Sequence, residues 1–136
     1  MSFHTTVDIS FGDCDPAGIV FYPNYYRWFD AAFQAYLSTF GLNQGILRDR
    51  LGTIGTGLID TGATFRAPAS YGDVLTLHLA DIKWHAKTFR VIYEGRVEDR
   101  LVVEGFEVRG VFVRDGERLR AAPVGPLCDL MKDGAT

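Results

Sequence analysis

Two carboxylates, Asp13 and Asp15, stand close together in the stretch Phe11-Gly-Asp-Cys-Asp-Pro-Ala-Gly-Ile-Val-Phe-Tyr-Pro-Asn-Tyr25, which also holds two glycines and two prolines. A loop of this composition leaves backbone N–H groups free, and it runs directly into a segment with helical periodicity. The first N–H groups of a helix have no internal partners and lie at the positive end of its dipole, so they can stabilise an oxyanion. A carboxylate beside them could attack an acyl carbonyl or activate water for that attack. The same residues also suit a plain turn, because Asp15-Pro16-Ala17-Gly18 is made of ordinary turn formers.

Other routes to catalysis have less support. His4, His78 and His85 fit no Ser-His-Asp arrangement, and there is no Gly-x-Ser-x-Gly elbow. The glycines of Gly55-Thr56-Gly57 lack dinucleotide-binding spacing. Cys14 and Cys128 match neither a zinc site nor a redox Cys-x-x-Cys, so no metal is expected. Cys14, between two aspartates, reads as a packing residue.

With 14 basic against 17 acidic side chains, a net charge of -3 gives no overall field for nucleic acid. The beginning of the chain lacks the basic and apolar regions of a secretory signal, and no apolar run reaches membrane-spanning length. A cytoplasmic protein with no nucleic-acid or membrane partner is expected.

The loop leads into the clearest periodic segment. From Asn24 to Phe40, Tyr25, Trp28, Phe29, Ala32, Phe33, Tyr36, Leu37 and Phe40 form one apolar stripe, with Pro23 before it and Gly41 after it. Thr5 to Phe11 suits a strand, and from about residue 57 onward alternating segments predict four or five more. Leu75, Leu77 and Leu79 line one face, as do Phe89, Val91, Tyr93 and Val97. Val102, Phe106, Val108 and Phe112 do so in the following strand, with Glu104 an exception and Val111 and Val113 on the outer face. Asp115-Gly116 signals a hairpin. Residues 1–136 thus read as a single α+β domain, an antiparallel sheet wrapped around one long central helix, with 123–136 a loosely ordered tail. An outer face with apolar residues and open strand edges also predict oligomerisation.

FGDCDPAGIVFYPNYYRWFD, residues 11–30, resembles the signature of the 4-hydroxybenzoyl-CoA thioesterases and their hotdog-fold relatives, and PASYGDVLT at 68–76 and GERLRA at 116–121 resemble the same family. The resemblance implies a hotdog fold and hydrolysis of an acyl-CoA, with coenzyme A entering as part of the substrate and no separate cofactor. It makes Asp15 the nucleophile or general base and has the Tyr22 N–H polarise the thioester carbonyl. Asp30 would contact a ring hydroxyl and Thr56 would line the acyl pocket. Lys87, Arg118 and Arg120 would meet the coenzyme phosphates, since charge-assisted contacts are the strong ones. The family carries a more basic run where this chain has His85-Ala86-Lys87. Asp30 also suits a solvated helix flank, the glycines around Thr56 a turn, and the cations a solvated face. Dimers or tetramers are implied, with Asp15 and Thr56 of one site drawn from different subunits.

An aryl-CoA, foremost 4-hydroxybenzoyl-CoA, is therefore the expected substrate. A short aliphatic or other aryl acyl group is the alternative within the same chemistry. A non-catalytic module that binds acyl thioesters is the alternative outside it.

Overall fold

Pro23 begins and Ser38 ends the long helix α1 in the computed structural model, which describes residues 3–133. Proline suits the first turn because its missing N–H would have no helical partner there. The helix closes through Gly41, at φ 71°, and a Leu42 N–H to Leu37 C=O bond of 3.1 Å. Tyr25, Phe29, Ala32, Phe33 and Leu37 are its buried stripe, in the helical spacing expected.

Among the described residues six antiparallel strands form one sheet: β1 (His4–Asp8), β2 (Gly55–Phe65), β3 (Val74–Trp84), β4 (Phe89–Val97), β5 (Arg100–Asp115) and β6 (Arg118–Ala122). Their order is β1-β3-β4-β5-β2. Val111 of β5 pairs with Thr56 on one side and Ala122 on the other, so β6 extends β5 beyond the end of β4. Helix α1 packs on one face, where the Phe29 ring stacks on Tyr93 at 4.8 Å. This is the α+β sheet around a central helix that the sequence predicts.

The faces of β5 are the reverse of the sequence expectation. Val103, Gly105, Glu107, Arg109 and Val111 are buried, whereas Phe106, Val108 and Phe112 lie half-buried on the outer face. Val102 is buried as well, beside a bulge in the β4–β5 register. The reason is steric at Gly105, where an added Cβ would stand 2.4 Å from the Phe29 ring, so only glycine lets the helix sit this close. Two further α-helices among the described residues accompany this core. Helix α2 (Gln44–Leu51) starts at Asn43, whose Oδ1 accepts from the Ile46 N–H at 2.8 Å, and stops at Gly52 with φ 68°. Asn43→Ala should lower stability by about 1 kcal/mol, read from the midpoint of urea unfolding, because that cap is lost.

Helix α3 (Gly125–Asp133) corrects the expected loose tail. Val124, Leu127 and Met131 recur at helical spacing and are buried, and the Val124 N–H donates to Ala86 C=O at 3.1 Å. Residues 134–136 lie outside the described residues.

Candidate active site

The Asp13-Cys14-Asp15 loop resolves its two carboxylates into different jobs. Asp13 is structural: its Oδ2 accepts from the Ser10 N–H at 2.9 Å, and its carbonyl accepts from Phe21 N–H and Asn24 Nδ2 at 2.8 and 2.9 Å. These bonds tie the strand end to the start of α1. Asp15 begins a tight turn. Its Oδ1 accepts from Ala17 N–H at 2.9 Å, its carbonyl accepts from Gly18 N–H at 2.9 Å, and Gly18 has φ 83°. Turn and chemistry are thus compatible, because among the described residues Asp15 Oδ2 accepts no hydrogen bond.

Asp15 lines a cavity of about 510 Å³, shared with Tyr22 just before α1, Tyr25 in its first turn, Phe65 at the end of β2 and Pro68 beyond it. Tyr22 precedes Pro23 in helical conformation, and its N–H has no acceptor among the described residues. Asp15 and Tyr22, whose Oδ2 and N–H are unengaged among the described residues, both line one largely apolar cavity. The arrangement can hold a carbonyl at the N–H while the carboxylate, or a water it activates, attacks carbon. Burial pushes the Tyr25 hydroxyl up to about 12, so this wall of the cavity stays neutral.

Asp30 lies two turns further along α1 and does not border that cavity. It is not an isolated helix-flank acid. Its Oδ1 accepts from Arg109 Nη2 at 2.7 Å, and Arg109 also grips both Glu107 oxygens, through Nε at 3.1 Å and Nη2 at 2.9 Å. Tyr93 donates to Glu107 Oε1 at 2.5 Å. Burial works against the Arg109 charge, but hydrogen bonds and charge from Glu107, with Asp30, outweigh it and hold the guanidinium above its ordinary pKa. Burial, reinforced by Glu107, drives the Tyr93 hydroxyl far up, so it remains a donor.

Thr56 is buried in β2 rather than in a turn. Gly57 sits in the strand because Phe112 of β5 crosses it: a Cβ there would lie 2.7 Å from that ring. Gln44 of α2 donates to Thr56 Oγ1 at 2.8 Å and accepts from its N–H at 3.1 Å, while the Thr56 carbonyl accepts from Arg109 Nη1 at 2.9 Å. Asp30 and Thr56 are therefore joined through one guanidinium. Lys87, in the turn between β3 and β4, and Arg118 and Arg120 of β6 are exposed. Arg120 makes a solvent-exposed pair with Asp115 at 3.4 Å. The registers place these three cations toward the Thr56 end of the sheet, opposite the Asp15 cavity.

The sequence reading missed Glu107, Arg109, Tyr93 and Gln44 as members of the polar cluster. Glu107 and Arg109 stand two apart in β5, so they share one face with Gly105, and an acid and a base alternating with Phe106 and Val108 were the available signal.

A family model described as the thioesterase-like superfamily matches residues 9–127. The 4-hydroxybenzoyl-CoA thioesterase of Pseudomonas sp. strain CBS-3 is 42% identical over 126 residues, covering 85% of this chain and 86% of that relative. A crystal structure of a variant 4-hydroxybenzoyl-CoA thioesterase complexed with 4-hydroxybenzoyl-CoA superposes with a TM-score of 0.83 at 38% identity, covering 96% of this chain and 98% of the other. The structure of a gentisyl-coenzyme A thioesterase gives 0.77 at 30% identity, covering 89% and 94%.

Proposed function

The chain belongs to the thioesterase-like superfamily, and on that premise we propose that it hydrolyses an aryl-CoA thioester, 4-hydroxybenzoyl-CoA foremost, to the free acid and coenzyme A. The observation that carries this proposal is that Asp15 and Tyr22 line one cavity, with Asp15 Oδ2 and the Tyr22 N–H both unengaged among the described residues. With the thioester carbonyl accepting from Tyr22, negative charge developing on its oxygen meets the positive end of α1. Asp15 then either adds to the carbonyl carbon, expelling the thiolate and leaving a mixed anhydride for water to open, or removes a proton from the water that adds.

One copy of the chain does not gather every proposed residue. Asp15 and Tyr22 sit toward the Phe65 end of β2, while Thr56 lies at its start, about 30 Å away along an 11-residue strand. The free edge of β2 offers unpaired backbone groups, and antiparallel pairing with a second copy about a two-fold axis near its middle would bring the Thr56 end of one copy to the Phe65 end of the other. Thr56 and Asp30 of the second copy then complete the site begun by Asp15. Lys87, Arg118 and Arg120 travel with that end and suit the coenzyme phosphates. Lys87→Ala should raise KM by about 2- to 5-fold at low salt and by less at high salt, since an exposed ion pair is weak and screened.

Thiol release from 4-hydroxybenzoyl-, benzoyl- and butyryl-CoA tests the substrate. Fastest kcat/KM for 4-hydroxybenzoyl-CoA is expected. A butyryl-CoA preference would reassign the acyl group, and no release from any of them would leave a binding module.

A further inference from the structure

Four N–H groups of the Arg109 guanidinium are engaged at once: by both Glu107 oxygens, by Asp30 Oδ1 and by the Thr56 carbonyl. The Phe33 ring lies 4.6 Å from its central carbon, which fixes the plane as well. A buried ion pair of this kind adds little to stability compared with apolar packing of equal volume, so its presence points to a job other than holding the fold. Glu107 already balances the Arg109 charge, and Tyr93 satisfies Glu107 further. Asp30 therefore brings a charge that the cluster does not cancel. Its side chain is 55% exposed, and among the described residues only Oδ1 accepts hydrogen bonds, from Arg109 and, at 3.4 Å, from Gln34.

We infer that Arg109 is a positioning residue for substrate selection: it fixes Asp30 so that Oδ2 faces the acyl group as an acceptor, giving preference to a ring that carries a neutral hydroxyl donor. The inference rests on the aryl-CoA reading of the site. A cluster made of Glu107, Arg109 and Asp30 has a net charge of one negative unit, so it rewards an O–H donor and repels an anionic ring substituent. A lysine cannot replace the fork, because one ammonium cannot meet Glu107, Asp30 and the Thr56 carbonyl together.

The test compares kcat/KM for 4-hydroxybenzoyl-CoA and benzoyl-CoA in wild type, Arg109→Lys, Asp30→Ala and the double variant. The ratio of the two substrates cancels general losses of active protein, which a purely structural role would produce. Arg109→Lys and Asp30→Ala should each lower the wild-type ratio by about tenfold or more, in line with a hydrogen bond to a charged group. The double variant should be no lower than Asp30→Ala, since Arg109 acts through Asp30. An unchanged ratio in Arg109→Lys, or an equal fall when Asp30 is already alanine, would overturn the inference. Should Arg109→Lys fail to fold, Glu107→Gln decides: loosening the grip on Arg109 should lower the ratio by about threefold, and a wild-type ratio would contradict it. A wild type that turns over benzoyl-CoA as well as 4-hydroxybenzoyl-CoA would instead refute the aryl-hydroxyl reading of the site, and this inference with it. Wild-type preference retained in the variants would refute the inference alone.

Discussion

Asp15→Asn will lower kcat for 4-hydroxybenzoyl-CoA by at least about 100-fold while KM moves little, whichever role the carboxylate plays. Asparagine has nearly the same shape, and its side-chain oxygen can still accept from Ala17 N–H, so the turn that ends in Gly18 should survive. What disappears is the carboxylate oxygen that accepts no hydrogen bond among the described residues. An amide neither attacks a thioester at a useful rate nor takes a proton from water, whereas the Tyr22 N–H and the apolar walls of the cavity remain to bind substrate. Loss of a nucleophile should exceed loss of a general base, because the base contributes about 100- to 10,000-fold and the nucleophile opens the covalent path itself. Steady-state thiol release checks the prediction. A variant within a few-fold of wild type would leave Asp15 with no part in the reaction.

Phe29→Ala will destabilise the protein by about 3–5 kcal/mol, the range for deleting a fully buried aromatic ring. Phe29 is completely buried, stacks on Tyr93 and lies against Gly105, so the sheet cannot collapse into the space without moving β4 and β5 together. The fall should appear as a lower urea midpoint at an unchanged slope. Because Tyr93 loses its stacking partner, the Glu107–Arg109 cluster that it hydrogen-bonds should loosen as well. A loss below about 1 kcal/mol would mean that the packing between α1 and β5 is not what secures the core.

The aromatic stripe from Tyr25 to Leu37 was legible because helical spacing alone dictates which side chains share a face. Leu75, Leu77 and Leu79, with Phe89, Val91 and Tyr93, were legible for the same reason at the spacing of a strand. β5 was not, because both its faces carry plausible residues: Phe106, Val108 and Phe112 alternate as cleanly as the buried set, and hydrophobicity favours them. The contest is decided by Gly105, whose missing side chain admits Phe29, and by a Glu107–Arg109 pair that is satisfied only when turned toward Asp30 and Tyr93. Those partners lie in other elements, so no local pattern records the match. Helix α3 was hidden by its glycine and proline start, although Val124, Leu127 and Met131 already had helical spacing. In the site, Asp15 and the approach to α1 were visible as one contiguous loop. The coupling of Asp30 to Thr56 was not, because it runs through Arg109, far from both in sequence.

Whether the thioester lies between the Asp15 carboxylate and the free Tyr22 N–H is read most directly from the vibration of the substrate carbonyl. A carbon-13 label in the thioester carbonyl isolates its stretching band in 4-hydroxybenzoyl-CoA bound to the slow Asp15→Asn variant. Acceptance from an N–H at the positive end of α1 polarises the bond, so the band should fall below its position in water. A band at or above the aqueous position would place the carbonyl away from that N–H and contradict the proposed site.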